Sequence, residues 1–379
     1  MTEYLKISNF GPIVEVELDN IAPFTILVGE SGSGKSTILK VLSLFRWIYK
    51  RVVLRSYVKQ ANINKTGIGF QMKTLLKTSC LEEYLKADTE IIYRRNDYEI
   101  SYRNKKLNAQ STIPVSQLSL EKICFVSDKR SMIPDFLDNK MERRIANFHL
   151  QDTMDNFLLA TNSIQSFPVD YLNVKLSVLK TSAGIQYMIH GTSEEKYSIK
   201  LKNASSGTQT VLPLSMIVEY YARHFDPKKS MDSSLFQYLQ DNDRLKDFNT
   251  AKNIGEIEQK NVHILIEEPE LSLYPESQCQ LIDYLVDRCF FHRPQYNMTL
   301  MMATHSPYIV NYINLLLRRS QKECDQDKVM LLPDDVDVYH IIDGQSLSLK
   351  RKTEDGVIID TRLMSDPIME IYQEYKSLQ

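Results

Sequence analysis

"FTILVGESGSGKSTILKVLSLF", residues 24–45, places a strand, a glycine-rich loop and a helix in immediate succession. The run Phe24 to Val28 is continuously apolar and β-branched, the pattern of a strand buried on both faces. From Thr37 to Tyr49 the apolar residues recur at helical spacing. Between them, Gly29 to Ser36 (GESGSGKS) fits GxxxxGK[ST] in the context that gives the pattern meaning, after a buried strand and before a helix. Such a loop cradles phosphate: glycines let backbone N–H groups wrap the anion, and the helix N-terminus adds the positive end of its dipole. The residues assigned to the nucleotide are Gly29, Glu30, Ser31, Gly32, Ser33, Gly34, Lys35, Ser36 and Thr37. Lys35 would reach the β- and γ-phosphates, Ser36 would ligate Mg²⁺ and Thr37 would touch the α-phosphate. The bland alternative is a glycine-rich turn with no ligand. The pattern points to ATP or GTP with Mg²⁺ but leaves open what is done with it.

The rest of the chain is read around this unit. Strands precede it ("YLKISNFGPIVEVEL", 4–18, hinged at Gly11-Pro12), and a hairpin is expected at 89–106 around Asn96-Asp97. Strand and helix then alternate: "EKICFV", a helical stretch over 134–165, a hairpin at 185–203, "HILIEE", a helix near 276–291, "MTLMMATH", a helix near 307–319, a small β region at 336–361 and a final helix. The expected fold class is α/β, with a mixed central sheet, flanking N-terminal antiparallel strands and an interleaved helical lobe. The expected divisions are 1–128, 129–225 (helical lobe), 226–260 (a polar surface insertion with a short helix around 235–239) and 261–379.

Composition narrows the class further. The 379 residues are 43% hydrophobic and 25% charged with a formal net charge of -2, so any nucleic-acid binding must come from a local patch. One candidate patch is 46–65, with Arg46, Lys50, Arg51, Arg55, Lys59 and Lys65 among Trp47, Tyr49 and Tyr57; the competing reading is a solvated helix face with its aromatics turned inward. The five cysteines show no CxxC and no regular spacing, which suits a reducing cytoplasm. No apolar run approaches the ~18 residues of a membrane span, so a cytoplasmic protein without membrane partners is expected.

Two further strand ends carry chemistry. "VHILIEEPELSLYPE" (262–276) ends a buried run in two carboxylates, costly unless charge is wanted there. Glu267 is assigned to the metal and Glu268 to the attacking water. "LMMATHSPYIV" (300–310) ends in His305, which read alone is a structural histidine and in this company a hydrogen-bond donor to the γ-phosphate. "NASSGTQTVLPL" (203–214) sets small polar residues before an apolar helix; read alone, it is an N-cap.

Taken in order, Gly29–Ser36, "ASSGTQ" (204–209), "ILIEEPE" (264–270) and "ATHSP" (303–307) resemble the Walker A, signature, Walker B and switch-histidine motifs of ABC-type ATPases. The resemblance implies that Ser205, Ser206, Gly207 and Gln209 meet the nucleotide held by another subunit's loop. It therefore implies a head-to-tail homodimer, or a larger even-numbered assembly, around two Mg-ATP. Together with "ISNFGPI" (7–13), these motifs resemble the compact RecF/SMC-related prokaryotic ATPases of the overcoming-lysogenization-defect (OLD) group, which includes the ATPase subunits of the Septu and PARIS anti-phage systems. That likeness implies a separate effector such as a nuclease; the alternative is a DNA-repair or DNA-end-binding ATPase acting alone. Glu30 stands where relatives commonly have Asn, and "LSLYP" replaces a usual histidine-containing "IHLHP". Asp128 to Arg130 is the candidate for the glutamine-loop position. Asp335-x-Asp337 is better read as a turn before a strand than as a nuclease site, so no second catalytic activity is expected.

Overall fold

The computed structural model describes residues 2–63, 70–110, 112–137, 146–182, 184–194, 196–252, 257–322 and 328–378. The N-terminal strands β1 (Glu3–Phe10) and β2 (Ile13–Leu18) form the expected hairpin, followed by β3 (Phe24–Val28) and the long helix α1 (Lys35–Lys59). After α2 (Met72–Thr78) come β4 (Leu85–Arg95), β5 (Tyr98–Arg103), β6 (Lys106–Ala109) and β7 (Ser119–Val126). The middle of the chain holds α3 (Ile133–Leu137), α4 (Phe148–Ser163), the strands β8 (Ser166–Val169), β9 (Val174–Thr181), β10 (Gly184–Gly191) and β11 (Ser198–Lys200), then α5 (Ser206–Glu219). Next are α6 (Pro227–Asp241), α7 (Phe248–Lys252), β12 (Gln259–Glu267), α8 (Pro275–Val286), β13 (Asn297–Thr304) and α9 (Pro307–Gln321). The chain finishes with β14 (Val336–Ile342), β15 (Gln345–Ser348), β16 (Lys350–Thr353), β17 (Gly356–Ile359) and α10 (Arg362–Ser377).

Eleven strands make one mixed sheet in the order β6-β5-β4-β1-β2-β15-β14-β3-β13-β12-β7. The block β14, β3, β13, β12, β7 is parallel, and the N-terminal strands β6 to β2 pair antiparallel. The fold is thus the expected α/β class with a mixed central sheet and flanking antiparallel strands. Helix α1 is buried on all its faces over its middle turns, six consecutive residues from Val41 to Arg46 included. The sheet curls around it far enough for Arg95 on β4 to bond Glu121 on β7 at 2.8 Å, both fully buried, although the two strands stand eight places apart. Apolar residues on the other face of the parallel block pack against α4, α5, α8 and α9.

The lobe between β7 and α5 carries more β-structure than the sequence suggested. The hairpin β10-β11 belongs to a separate four-stranded antiparallel sheet with β8 and β9. The segment 226–260 also differs from expectation. Its described part is no loose insertion: α6 spans fifteen residues and buries Leu235, Tyr238 and Leu239 among the residues of α1. Asp226 caps it by accepting from the backbone N–H groups of Lys228 and Lys229, and Pro227 occupies its first turn, an ordinary helix start.

Candidate functional site

The site lies where the parallel strands end. β3 runs into the loop 29–34, and α1 leaves it with Gly34 at φ +107°, a left-handed position suited to glycine. At Gly29 a Cβ would stand 2.4 Å from the Ile341 carbonyl oxygen of β14, so this close approach admits no side chain. Lys35 is buried, and its Nζ donates to the carbonyl oxygens of Gly29 (2.8 Å) and Glu30 (2.7 Å). Burial pushes its pKa down to about 8, opposed by the charges of Glu268, Glu270 and Glu30. The crest of the loop is open: Glu30, Ser31 and Gly32 are exposed, and a Cβ on Gly32 would meet nothing within 4 Å. Ser33 Oγ lies 3.4 Å from Lys35 Nζ, and Thr37 is buried in the first turn of α1.

β12, paired in parallel between β13 and β7, carries the two carboxylates out at this end. Glu267 is buried, with Lys40 Nζ 3.2 Å from its Oε1 and the Ser36 hydroxyl bonded to it. Burial raises its pKa, and Lys40 pulls the other way. Glu268 turns outward on a left-handed backbone, φ +44°, a conformation that costs a non-glycine residue of order 1–2 kcal/mol. Its N–H donates to the Ala303 carbonyl (2.8 Å), and its Oε1 lies 3.9 Å from His305 Nε2. Glu270 accepts the backbone N–H of His305 at 2.6 Å.

Arg130 ties these pieces together. Fully buried, it donates to the backbone carbonyl oxygens of Ser127 (3.2 Å), Thr210 (3.0 Å), Glu267 (2.7 Å) and Glu268 (2.6 Å). Burial lowers its pKa to about 10, with Glu270 and Asp128 foremost among the opposing charges. Asp128, the other end of the stretch singled out in the sequence, points its N–H at Glu267 Oε2 from 3.5 Å.

The helix α5 begins as its sequence suggests: Ser205 is the N-cap, its Oγ accepting from the Thr208 N–H at 3.3 Å. Ser205 and Ser206 are exposed. Gly207 packs against the loop after β12, where a Cβ would come within 2.9 Å of the Ser272 carbonyl oxygen, and Thr210 Oγ1 donates to the Leu271 carbonyl at 2.9 Å. Gln209 faces back into the preceding turn and donates to the carbonyls of Lys202 (2.8 Å) and Ala204 (3.1 Å). Among the described residues, no hydrogen bond or ion pair joins 205–209 to 29–37. Within one chain, then, the loop 29–37, Glu267, Glu268 and His305 come together, and the start of α5 is fastened to the loop after β12.

The donors fit Mg²⁺ bound with a nucleotide: a hydroxyl and a carboxylate, both oxygen ligands, suit an ion that completes its shell with water and phosphate. No group of three or more His, Cys, Asp or Glu among the described residues could hold a metal by itself.

Sequence reading missed Lys40, Glu270 and His340. Lys40 follows Ser36 by one helical turn, a spacing that places both on one face. Glu270 lies within the quoted stretch. His340 has no local motif; strand register sets it opposite Val28, near Glu30 and Lys35, with Nδ1 buried and unbonded. The basic patch does not survive intact. Arg46 is buried and bonded to Glu3 through Nε (2.8 Å) and Nη2 (2.6 Å), Arg51 pairs with Asp241 (2.8 Å), and Lys65 lies outside the described residues. Asp335 and Asp337 are paired with Arg293 and Lys350. No described helix is long and apolar enough to cross a membrane.

A family model described as AAA ATPase domain matches residues 60–310, about two thirds of the chain, including α5, β12 and His305. Among solved structures, the chain is similar to an SMC head bound to the C-terminal winged-helix domain of ScpA (11% identity, 96% of this chain and 99% of that one, TM-score 0.38). It is similar also to the SMC head domain of Thermotoga maritima (11%, 93% and 100%, TM-score 0.34) and to the recombination mediator RecF (10%, 92% and 98%, TM-score 0.37). No curated protein matches it.

Proposed function

The chain belongs to the AAA ATPase domain family, and from that premise we propose that it binds ATP with Mg²⁺ in the loop 29–37 and hydrolyses it. The observation that carries this reading is the pair Glu267 and Glu268 at the end of β12: one buried beside Ser36 and Lys40, the other held outward beside His305. Lys35 would exchange the carbonyls of Gly29 and Glu30 for phosphate oxygens. Ser36 and Glu267 would hold Mg²⁺, which supplies charge neutralisation on the phosphates. Glu268 would orient and polarise the attacking water, and His305 would donate to the γ-phosphate.

We propose further that catalysis needs a second copy. Ser206 and Gly207 stand at an exposed helix start that no bond connects to the loop of their own chain among the described residues, which favours a head-to-tail homodimer with each α5 facing its partner's nucleotide. Native mass spectrometry tests this: ATP should drive dimerisation of the wild type and not of Ser206→Arg, and an unchanged ATP-bound dimer in that variant would reject the arrangement.

The resemblance to OLD-related ATPases supports control of a separate effector, such as a nuclease, in prokaryotic anti-phage defence. Four described cysteines, Cys80, Cys124, Cys279 and Cys289, are free thiols, which suits a reducing, cytoplasmic setting. The reading in which 46–65 grips DNA loses its first cation to Glu3.

A further inference from the structure

A second cleft opens on α1 about four turns from the phosphate loop, some 22 Å along the helix at ~1.5 Å per residue. It has a volume of about 490 Å³ and lies between α1, β7, the end of α5 and the start of α6. Its walls are aromatic, Trp47, Tyr220 and Phe225 among them, and its charge comes from Lys50 and Lys122, with Lys229 paired to Asp226 at 3.8 Å. Arg51 also lines it, paired with Asp241 and lying 5.6 Å from the Trp47 ring centroid over one face of the ring.

Lys50 and Lys122 are the unusual pair. Among the described residues neither ammonium has an ion-pair partner; Lys122 sits over the Tyr221 ring at 5.6 Å. Lys50 is half-buried, and its pKa is pushed down to about 8, by burial first and by the charge of Lys122 second. Of the acids that act on it, Glu121 is bonded to Arg95 and His263, whereas Asp152 accepts the Phe125 N–H and also feels the charge of Lys122. One carboxylate, Asp152, faces two ammonium groups, so this part of the cleft keeps a net positive charge that an anion can meet.

We propose that this cleft binds a free nucleotide-like ligand, a phosphate monoester on a planar ring, with the phosphate between Lys50 and Lys122 and the ring against Trp47. Charge-assisted bonds to two ammonium groups would hold the phosphate, and flat aromatic walls accept a ring face. The cleft's size falls within the range of small-molecule sites. Asp226 in the same lining disfavours a continuing phosphate backbone. This site is independent of the ATPase reading.

Trp47 is the chain's single tryptophan and 37% exposed; it also lines a neighbouring cleft with Phe148 and His149, so the Lys50 and Lys122 variants are what assign a fluorescence change to this cleft. Adenosine and guanosine 5′-monophosphates are titrated into the full chain carrying Lys35→Ala, which disables the phosphate loop. Saturable quenching is expected, with affinity about tenfold or more weaker in Lys50→Gln and in Lys122→Gln and largely kept in Lys50→Arg. If one glutamine variant fails to fold, the other carries the comparison. No saturable change, or unaltered affinity in the glutamine variants, would overturn the proposal. So would a response to a short single-stranded oligothymidylate without any response to the monophosphates.

Discussion

Arg130 Nη2 donates to the backbone carbonyl oxygen of Glu268 at 2.6 Å, so the catalytic carboxylate proposed here is aimed by a guanidinium attached to its main chain. The same fork holds Glu267 and reaches Thr210 on α5. The end of β12 and the start of α5 are therefore set by one buried side chain. Arg130→Met would leave four carbonyls without these donors, and we predict a loss of about 3 kcal/mol or more in urea unfolding. Arg130→Lys should recover little, because an ammonium cannot reproduce the planar fork. Wild-type stability in either variant would show that the bracket is dispensable.

Glu270 fixes the turn that presents His305, through the 2.6 Å bond to its N–H. Bonds to charged groups contribute about 1.5–3 kcal/mol. Glu270→Ala should therefore lower ATP turnover about tenfold or more, with ATP affinity little changed, and Glu270→Gln should restore most of the rate. Phosphate release and equilibrium nucleotide binding, measured on both variants, separate these effects.

His149 predicts an acid-sensitive fold. It is 2% exposed, packed on Phe125 with ring centroids 4.2 Å apart, and near the Ser79 backbone, yet neither ring nitrogen makes a well-formed hydrogen bond. Burial, aided by the charge of Lys40, lowers its pKa from 6.5 to about 4. The unfolded chain thus takes up this proton first. The stability contribution is fully present above pH 6.5 and is lost as pH falls toward 4. At about 1.4 kcal/mol per pH unit the loss amounts to about 3 kcal/mol. Urea unfolding at pH 7 and pH 4 should show wild type losing about that much more than His149→Leu; equal losses would mean that the ring is protonated in the folded state.

Legibility in the sequence followed the range of the interactions. The phosphate loop, the acids of β12 and His305 could be read because each is a short stretch at the end of a buried strand, where a local pattern carries its own context. Arg130 could be singled out only as a neighbour of a strand end; its four acceptors come from three separate parts of the chain, which no local spacing records. Helix α6 was underestimated through its polarity, although Asp226-Pro227 is a start signal and Met231, Leu235, Tyr238 and Leu239 share one face. Strand β8 is only four residues long and Pro168 interrupts it. The fate of the basic residues of 46–65, for which the solvated-face reading is preferred, could not be read locally, because Glu3, far away in sequence, neutralises Arg46.

The most direct test is the Glu268→Gln protein, assayed for ATP binding and phosphate release with Mg²⁺. The substitution keeps the shape and removes the charge that polarises water. ATP should bind with near wild-type affinity while turnover falls by two or more orders of magnitude. Phosphate release at the wild-type rate would contradict the assignment of Glu268 and with it the proposed hydrolytic site.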